Sequence, residues 1–132
     1  MNPTTIDKEL SRLLGDFRYC VENNELARKF NNPPDVVEFY RGKAEAYREI
    51  LSTLEKASEN WNEREGGRII HSFRAAAKRF RLKADNEACG LKQDYYDGCF
   101  EAYSHAAEWI EMVFPQTKVI DLKEWKEKRQ KK

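Results

Sequence analysis

Apolar side chains along this chain recur at steps of three and four, the spacing that gathers them on one face of an α-helix. Ile6, Leu10, Leu13, Leu14, Phe17 and Val21 form the first such face. Thr4-Thr5-Ile6-Asp7 reads as its start, because a threonine oxygen accepts from free backbone N–H groups and Asp7 suits the positive helix end. Asn31-Asn32-Pro33-Pro34 stops this helix and opens the next, since proline is tolerated in a first turn. The second helix carries Val36, Phe39, Tyr40, Ala46, Tyr47, Ile50, Leu51, Leu54 and Trp61 on a broad face, and Gly66-Gly67 is expected to end it. A third helix turns Ile69, Ile70, Phe73, Ala76, Ala77 and Phe80 inward, with a turn at Cys89-Gly90. A fourth gathers Tyr95, Tyr96, Cys99, Ala102, Tyr103, Ala106, Ile110 and Val113, and Pro115 closes it. Asp121 and Glu124 have capping-box spacing for a short fifth helix. No segment alternates apolar and polar residues long enough to predict a strand. The expected fold is all-α, a four-helix bundle with a short C-terminal helix or tail.

Sliding the sequence by 56 residues aligns 10–57 with 66–113 without a gap, and ten positions are identical. Half of them fall in Tyr40–Tyr47 against Tyr96–Tyr103, namely Tyr40/Tyr96, Gly42/Gly98, Glu45/Glu101, Ala46/Ala102 and Tyr47/Tyr103. The expectation is a duplicated helical hairpin, one copy at about 5–65 and the other at 66–116. Residues 1–116 then form the bundle and 117–132 a basic C-terminal extension. A single hairpin cannot cover its own apolar face, whereas two related by an approximate two-fold axis close a bundle. Gly42 and Gly98 sit mid-helix, where glycine costs about 1 kcal/mol relative to alanine. Each has an alanine four residues later, and together they predict a close helix crossing near that axis.

Composition narrows the function. Of 132 residues 36% are charged, yet the net charge is only +1, so no global field draws the chain to nucleic acid or anionic lipid. No apolar run approaches the roughly 18 residues of a membrane span. The N-terminus lacks the cationic start and apolar stretch of a signal peptide. Cys20, Cys89 and Cys99 are odd in number and unpaired in spacing, which suits a reducing, cytoplasmic setting.

The same helices carry the candidate chemistry. Glu45 and Glu49 share a stripe, and the equivalent positions are Glu101 and His105. A di-iron bundle uses Glu-x-x-His pairs aimed inward, whereas these are four apart and off the apolar face. Ion pairing is therefore expected, with no metal and no cofactor. Glu22 and Glu25 begin an acidic pattern like that of helical nucleotide pyrophosphohydrolases, but no matching Glu-x-x-Asp follows. His71 and His105 have no nucleophile partner at a telling spacing, and Cys20 and Cys99 lie on apolar faces, where a thiol acts as a small hydrophobe. Lys43, mid-face where the other half has Cys99, is expected to snorkel or to pair with a carboxylate. No catalytic residue is predicted.

Two surface features point to binding. From Arg68 to Lys92 cations exceed acids by five, while the fourth helix holds Asp94, Asp97, Glu101, Glu108 and Glu111 without a cation. These neighbours should lie antiparallel and neutralise one another, leaving Arg74, Lys78 and Arg81 as candidate phosphate contacts. The tail adds Lys123, Lys126, Lys128, Arg129, Lys131 and Lys132 around Trp125. Trp109 and Met112 fall outside the fourth helix's main apolar face, near His105, as an exposed apolar pair that another surface should cover. The cover is either the tail, through Val119, Ile120, Leu122 and Trp125, or a protein partner. His105, Trp109, Met112 and Trp125 are thus the candidate partner-binding residues.

The stretch Tyr40-x-Gly42-Lys43-x-Glu45-Ala46-Tyr47, followed by Ile50 and Leu51, resembles a segment of small helical proteins of bacteriophages and prophages. The resemblance covers about a fifth of the chain. It implies a cytoplasmic protein of a bacterium or a phage-infected host, with an accessory or host-modulating role. The expectation is a non-enzymatic interaction module that contacts a protein partner or a second copy as a homodimer, with no membrane role. The alternative is nucleic-acid binding through the basic third helix and the Lys-rich tail.

Overall fold

The computed structural model describes residues 3–30, 32–87 and 90–114. Four helices follow in chain order: α1 (Pro3–Lys29), α2 (Pro34–Ser58), α3 (Glu63–Asn86) and α4 (Leu91–Val113). No strand occurs among the described residues. Most of each apolar face read from the sequence turns to one core, while Val36, Phe39, Tyr40 and Tyr96 lie half-buried outside it. Leu13 and Phe17 of α1, Ile50 and Leu54 of α2, Ile70 of α3 and Ile110 of α4 are its fully buried members. Asn24 is buried among them, its amide satisfied by the Cys20 carbonyl 2.7 Å away.

Local chemistry sets the ends. Pro34 opens α2, directly after Pro33, and the Asn32 side chain turns back to the Ala27 carbonyl at 3.0 Å. Gly90, at φ 116, leads into α4 with a backbone conformation that glycine adopts readily. The second boundary differs from expectation. Gly66-Gly67 does not end α2. That helix stops at Ser58, Trp61 lies in the turn rather than on the helix face, and both glycines are buried inside α3. Asn62 supplies the start that the glycines obscured. Its side-chain oxygen accepts from the Glu65 N–H at 2.8 Å, and Glu63 and Glu65 sit at the positive helix end. A helix start needs an acceptor for its free N–H groups, which the Asn62 side chain provides and a glycine side chain cannot. Trp61 packs on Phe114, ring centres 5.1 Å apart, tying this turn to the end of α4. The predicted fifth helix, the extension 117–132, Trp125 and Cys89 lie outside the described residues.

α2 and α4 cross at the centre, with α1 laid on α2 and α3 laid on α4. The crossing is glycine against backbone in both directions. A Cβ on Gly42 would fall inside 3.0 Å of the Tyr95 carbonyl oxygen, and one on Gly98 inside 3.0 Å of the Phe39 carbonyl oxygen. Phe39 and Tyr95 are themselves 56 apart, so the two contacts are reciprocal. Side-chain contacts repeat the relation. Phe17 packs on Tyr47 at 6.0 Å and Phe73 on Tyr103 at 5.7 Å, while Arg18 pairs with Glu55 and Arg74 with Glu111.

The three mid-helix glycines separate by environment. Gly42→Ala or Gly98→Ala should lower stability by about 1–3 kcal/mol, because neither backbone can yield to the new methyl. Gly15 has nothing within 4 Å, so Gly15→Ala should raise stability by about 0.5–1 kcal/mol. Chemical denaturation of the three variants checks this, and a gain at Gly42 would refute the crossing.

Candidate interaction surface

The outward side of α4 carries Phe100, Ser104 and Glu108 between two clefts. One cleft, of about 380 Å³, lies toward α2 and is lined also by Lys43, Tyr47, Glu101 and His105. Here the Tyr47 hydroxyl and His105 Nδ1 are 2.7 Å apart, and the imidazole stacks on Trp109 at 4.9 Å. Trp109 in turn meets the Phe17 ring edge-on at 5.0 Å. Trp109 is therefore half-buried against the core, and only Met112, at 77% exposure, is freely exposed. The expected exposed pair is corrected on this point. α1 lies close enough for Phe17 to cover the indole, which no periodicity within α4 reveals. Lys43 is half-buried and extends over the Phe39 ring at 5.5 Å.

Burial governs the titratable groups here. It pushes up Tyr47, next to Cys20, and lifts the Cys99 thiol to about 11, with Cys99 Sγ directed at the Gly42 carbonyl. The Tyr103 phenol is pushed up to about 12, with Glu49 facing it. Such groups stay protonated near neutrality and make poor nucleophiles. His105 moves the other way, lowered first by burial and then by Lys43, with Glu108 opposing. Glu45 is held by Arg41 at 3.2 Å and accepts from the Tyr95 hydroxyl. Arg41 in turn pairs with Glu38 and lies over the Tyr95 ring at 4.4 Å. Within the stripe Glu45 and His105 are thus engaged in separate contacts, and no three metal-binding side chains converge among the described residues.

The second cleft, about 500 Å³, runs between α3 and α4. Ala77, Leu82, Phe100 and Ala107 line its apolar part, and Arg74, Lys78 and Arg81 its α3 wall. Of these three cations only Arg74 pairs with an α4 acid, as the charge pattern implied for all of them, while Arg81 takes its partner from its own helix. Arg74 pairs with Glu111, Arg81 with Asp85 at 3.6 Å, and the Arg81 guanidinium lies over Phe100 at 5.3 Å.

The other hairpin shows why this groove is open. There Arg48 of α2 reaches Glu25 of α1 across the helix pair, and Ala44 beneath is fully buried. The positions 56 residues on are Ser104, Arg81 and Phe100, while Glu22 corresponds to Lys78. A short hydroxyl stands where the first hairpin has the long cation, two bases stand where it has acids, and no counterpart of the Glu25–Arg48 pair forms among the described residues. Phe100, Leu82 and Ser104 were missed by reading each helix alone. The signal lay in the alignment at an offset of 56, at positions where charge reverses. The chain matches no known protein family, no curated protein and no solved structure.

Neutral His105 is the form the fold favours, so its contribution is complete above its ordinary value of 6.5 and declines as pH falls below it. Thermal unfolding midpoints should drop from pH 7 toward pH 5, and His105→Gln should flatten that drop. An unchanged slope would show that Tyr47 does not need the neutral ring.

Proposed function

We propose that this chain is a non-enzymatic helical interaction module that acts by protein–protein contact through the α3/α4 groove. The observation that carries the reading is the open groove itself, where the corresponding site in the first hairpin is bridged by its own Glu25–Arg48 pair. Its floor is apolar and its rim mixes Lys78 and Arg81 with Glu108. That combination suits a folded polypeptide, which offers apolar and charged groups of both signs, better than a polyanion. The reciprocal contacts at offset 56 support two copies of one ancestral hairpin, the second having lost its closing ion pair. The 40–47 segment supports a phage or bacterial accessory protein, host-modulating and cytoplasmic. No helix among the described residues is long and apolar enough to cross a membrane.

The second reading, nucleic-acid binding, is favoured by Arg74, Lys78 and Arg81 lying exposed along one side of α3. It is weakened because Glu111 and Asp85 already neutralise two of the three.

The groove is tested by replacing Lys78 and Arg81 with aspartate, since both side chains are exposed and the fold should survive. Affinity capture should retain a defined protein on the unsubstituted chain and lose it on the doubly substituted one. An unchanged bound set removes the groove as the contact. Retention on DNA or RNA at low salt, lost steeply as salt rises, would favour the second reading instead.

A further inference from the structure

α1 carries its own unpartnered surface. Opposite the face that enters the core, Tyr19 is 67% exposed, Leu26 57% and Phe30 67%. Tyr19 and Leu26, seven apart, share one line along the helix, and Phe30 stands one residue past its end. Gly15 lies on the same line with open space above it. A mid-helix glycine with no neighbour is a cost, about 1 kcal/mol against alanine, that nothing inside this molecule offsets. Outside the molecule it would admit a second backbone or a large side chain, as Gly42 and Gly98 do within.

We infer that α1 of one molecule docks into the α3/α4 groove of a second copy. This rests on reading the groove as a protein-contact surface. The apolar line meets the apolar floor around Leu82 and Phe100, two exposed surfaces covered by one contact. The charges match as well. Glu22 and Lys29 lie together along one side of the line on α1, Lys78 and Glu108 line the groove, and none of the four enters an ion pair among the described residues. Docking pairs Glu22 with Lys78 and Lys29 with Glu108. Pairing α1 with α1 would leave the groove open and its charges unmatched. Donor and acceptor surfaces are different, so the association is head-to-tail and extends until a ring closes.

Complementation tests this with the full chain. One variant, Leu26→Asp with Phe30→Asp, spoils the donor surface, and the other, Lys78→Asp with Arg81→Asp, spoils the acceptor. All four positions are exposed, and circular dichroism checks that the helices remain. The two damaged surfaces are both acidic and cannot rescue one another. By light scattering the unsubstituted chain should gain mass with concentration, and each variant alone should stay at monomer mass. Their equimolar mixture should reach dimer mass and stop, since only one intact donor and one intact acceptor remain. A monomer at every concentration, self-association by either variant alone, or a monomeric mixture overturns the inference. A monomeric chain that still captures a foreign protein through Lys78 and Arg81 removes self-docking and keeps the interaction-module reading. An unchanged captured set alongside successful complementation does the reverse for foreign contacts.

Discussion

Everything in this molecule is arranged around one close approach, that of α2 and α4 at Gly42 and Gly98. Each glycine faces a carbonyl of the other helix, Tyr95 for Gly42 and Phe39 for Gly98, leaving no room for a side chain on either. Backbone cannot move aside as a flexible side chain does, so the contact fixes how near the two helices lie. α1 and α3 then occupy the outer positions, each resting on its own hairpin partner. With the centre this narrow, Phe17 of α1 reaches Trp109 of α4, and core contacts pass between hairpins. The glycines lose helix propensity individually, and the packing they permit more than offsets it.

The crossing also distributes the polar groups. Glu45 lies beside it and is satisfied by Arg41 and Tyr95, which come from the two crossing helices. Fifty-six residues on, Glu101 stands where Glu45 does, but Asp97 takes the place of Arg41 and Phe39 that of Tyr95, so this network has no counterpart there. The same divergence recurs between the outer and inner helices. In the first hairpin Arg48 and Glu25 lock α2 to α1, whereas in the second Ser104 and Arg81 leave α4 and α3 with a groove. Similar frames thus carry different surfaces, which follows from how the two constraints act. Core positions must fill one shared volume, while solvent-facing positions vary at little cost to stability.

Much of the architecture was legible in the residues. Steps of three and four gave every helix its inward face, and Phe17, Ile50, Ile70 and Ile110 all went where their spacing put them. The boundary misplaced at Gly66-Gly67 shows the limit of glycine as punctuation, and α1 likewise begins at Pro3, ahead of the threonines read as its start. A buried glycine inside a helix and a glycine ending one look alike in sequence, and the cap that decided between them was Asn62. The binding surface was less legible. Arg74, Lys78 and Arg81 do share an exposed side of α3, but Trp109 proved covered, and Phe100 gained importance only beside Arg81.

What the sequence determined by itself is local: which stretches coil into helices, which side of each turns from water, and where two glycines demand close passage. These follow from a period of 3.6 residues and from the absence of a side chain, properties carried by a segment on its own. The tertiary structure alone decided which solvent-facing groups became neighbours. Whether Glu111 neutralises Arg74, whether Phe17 shields Trp109 and whether Ser104 leaves a gap depend on distances between residues far apart in the chain. Electrostatic and dispersion forces act over a few ångströms, so such pairings exist only once the helices have packed.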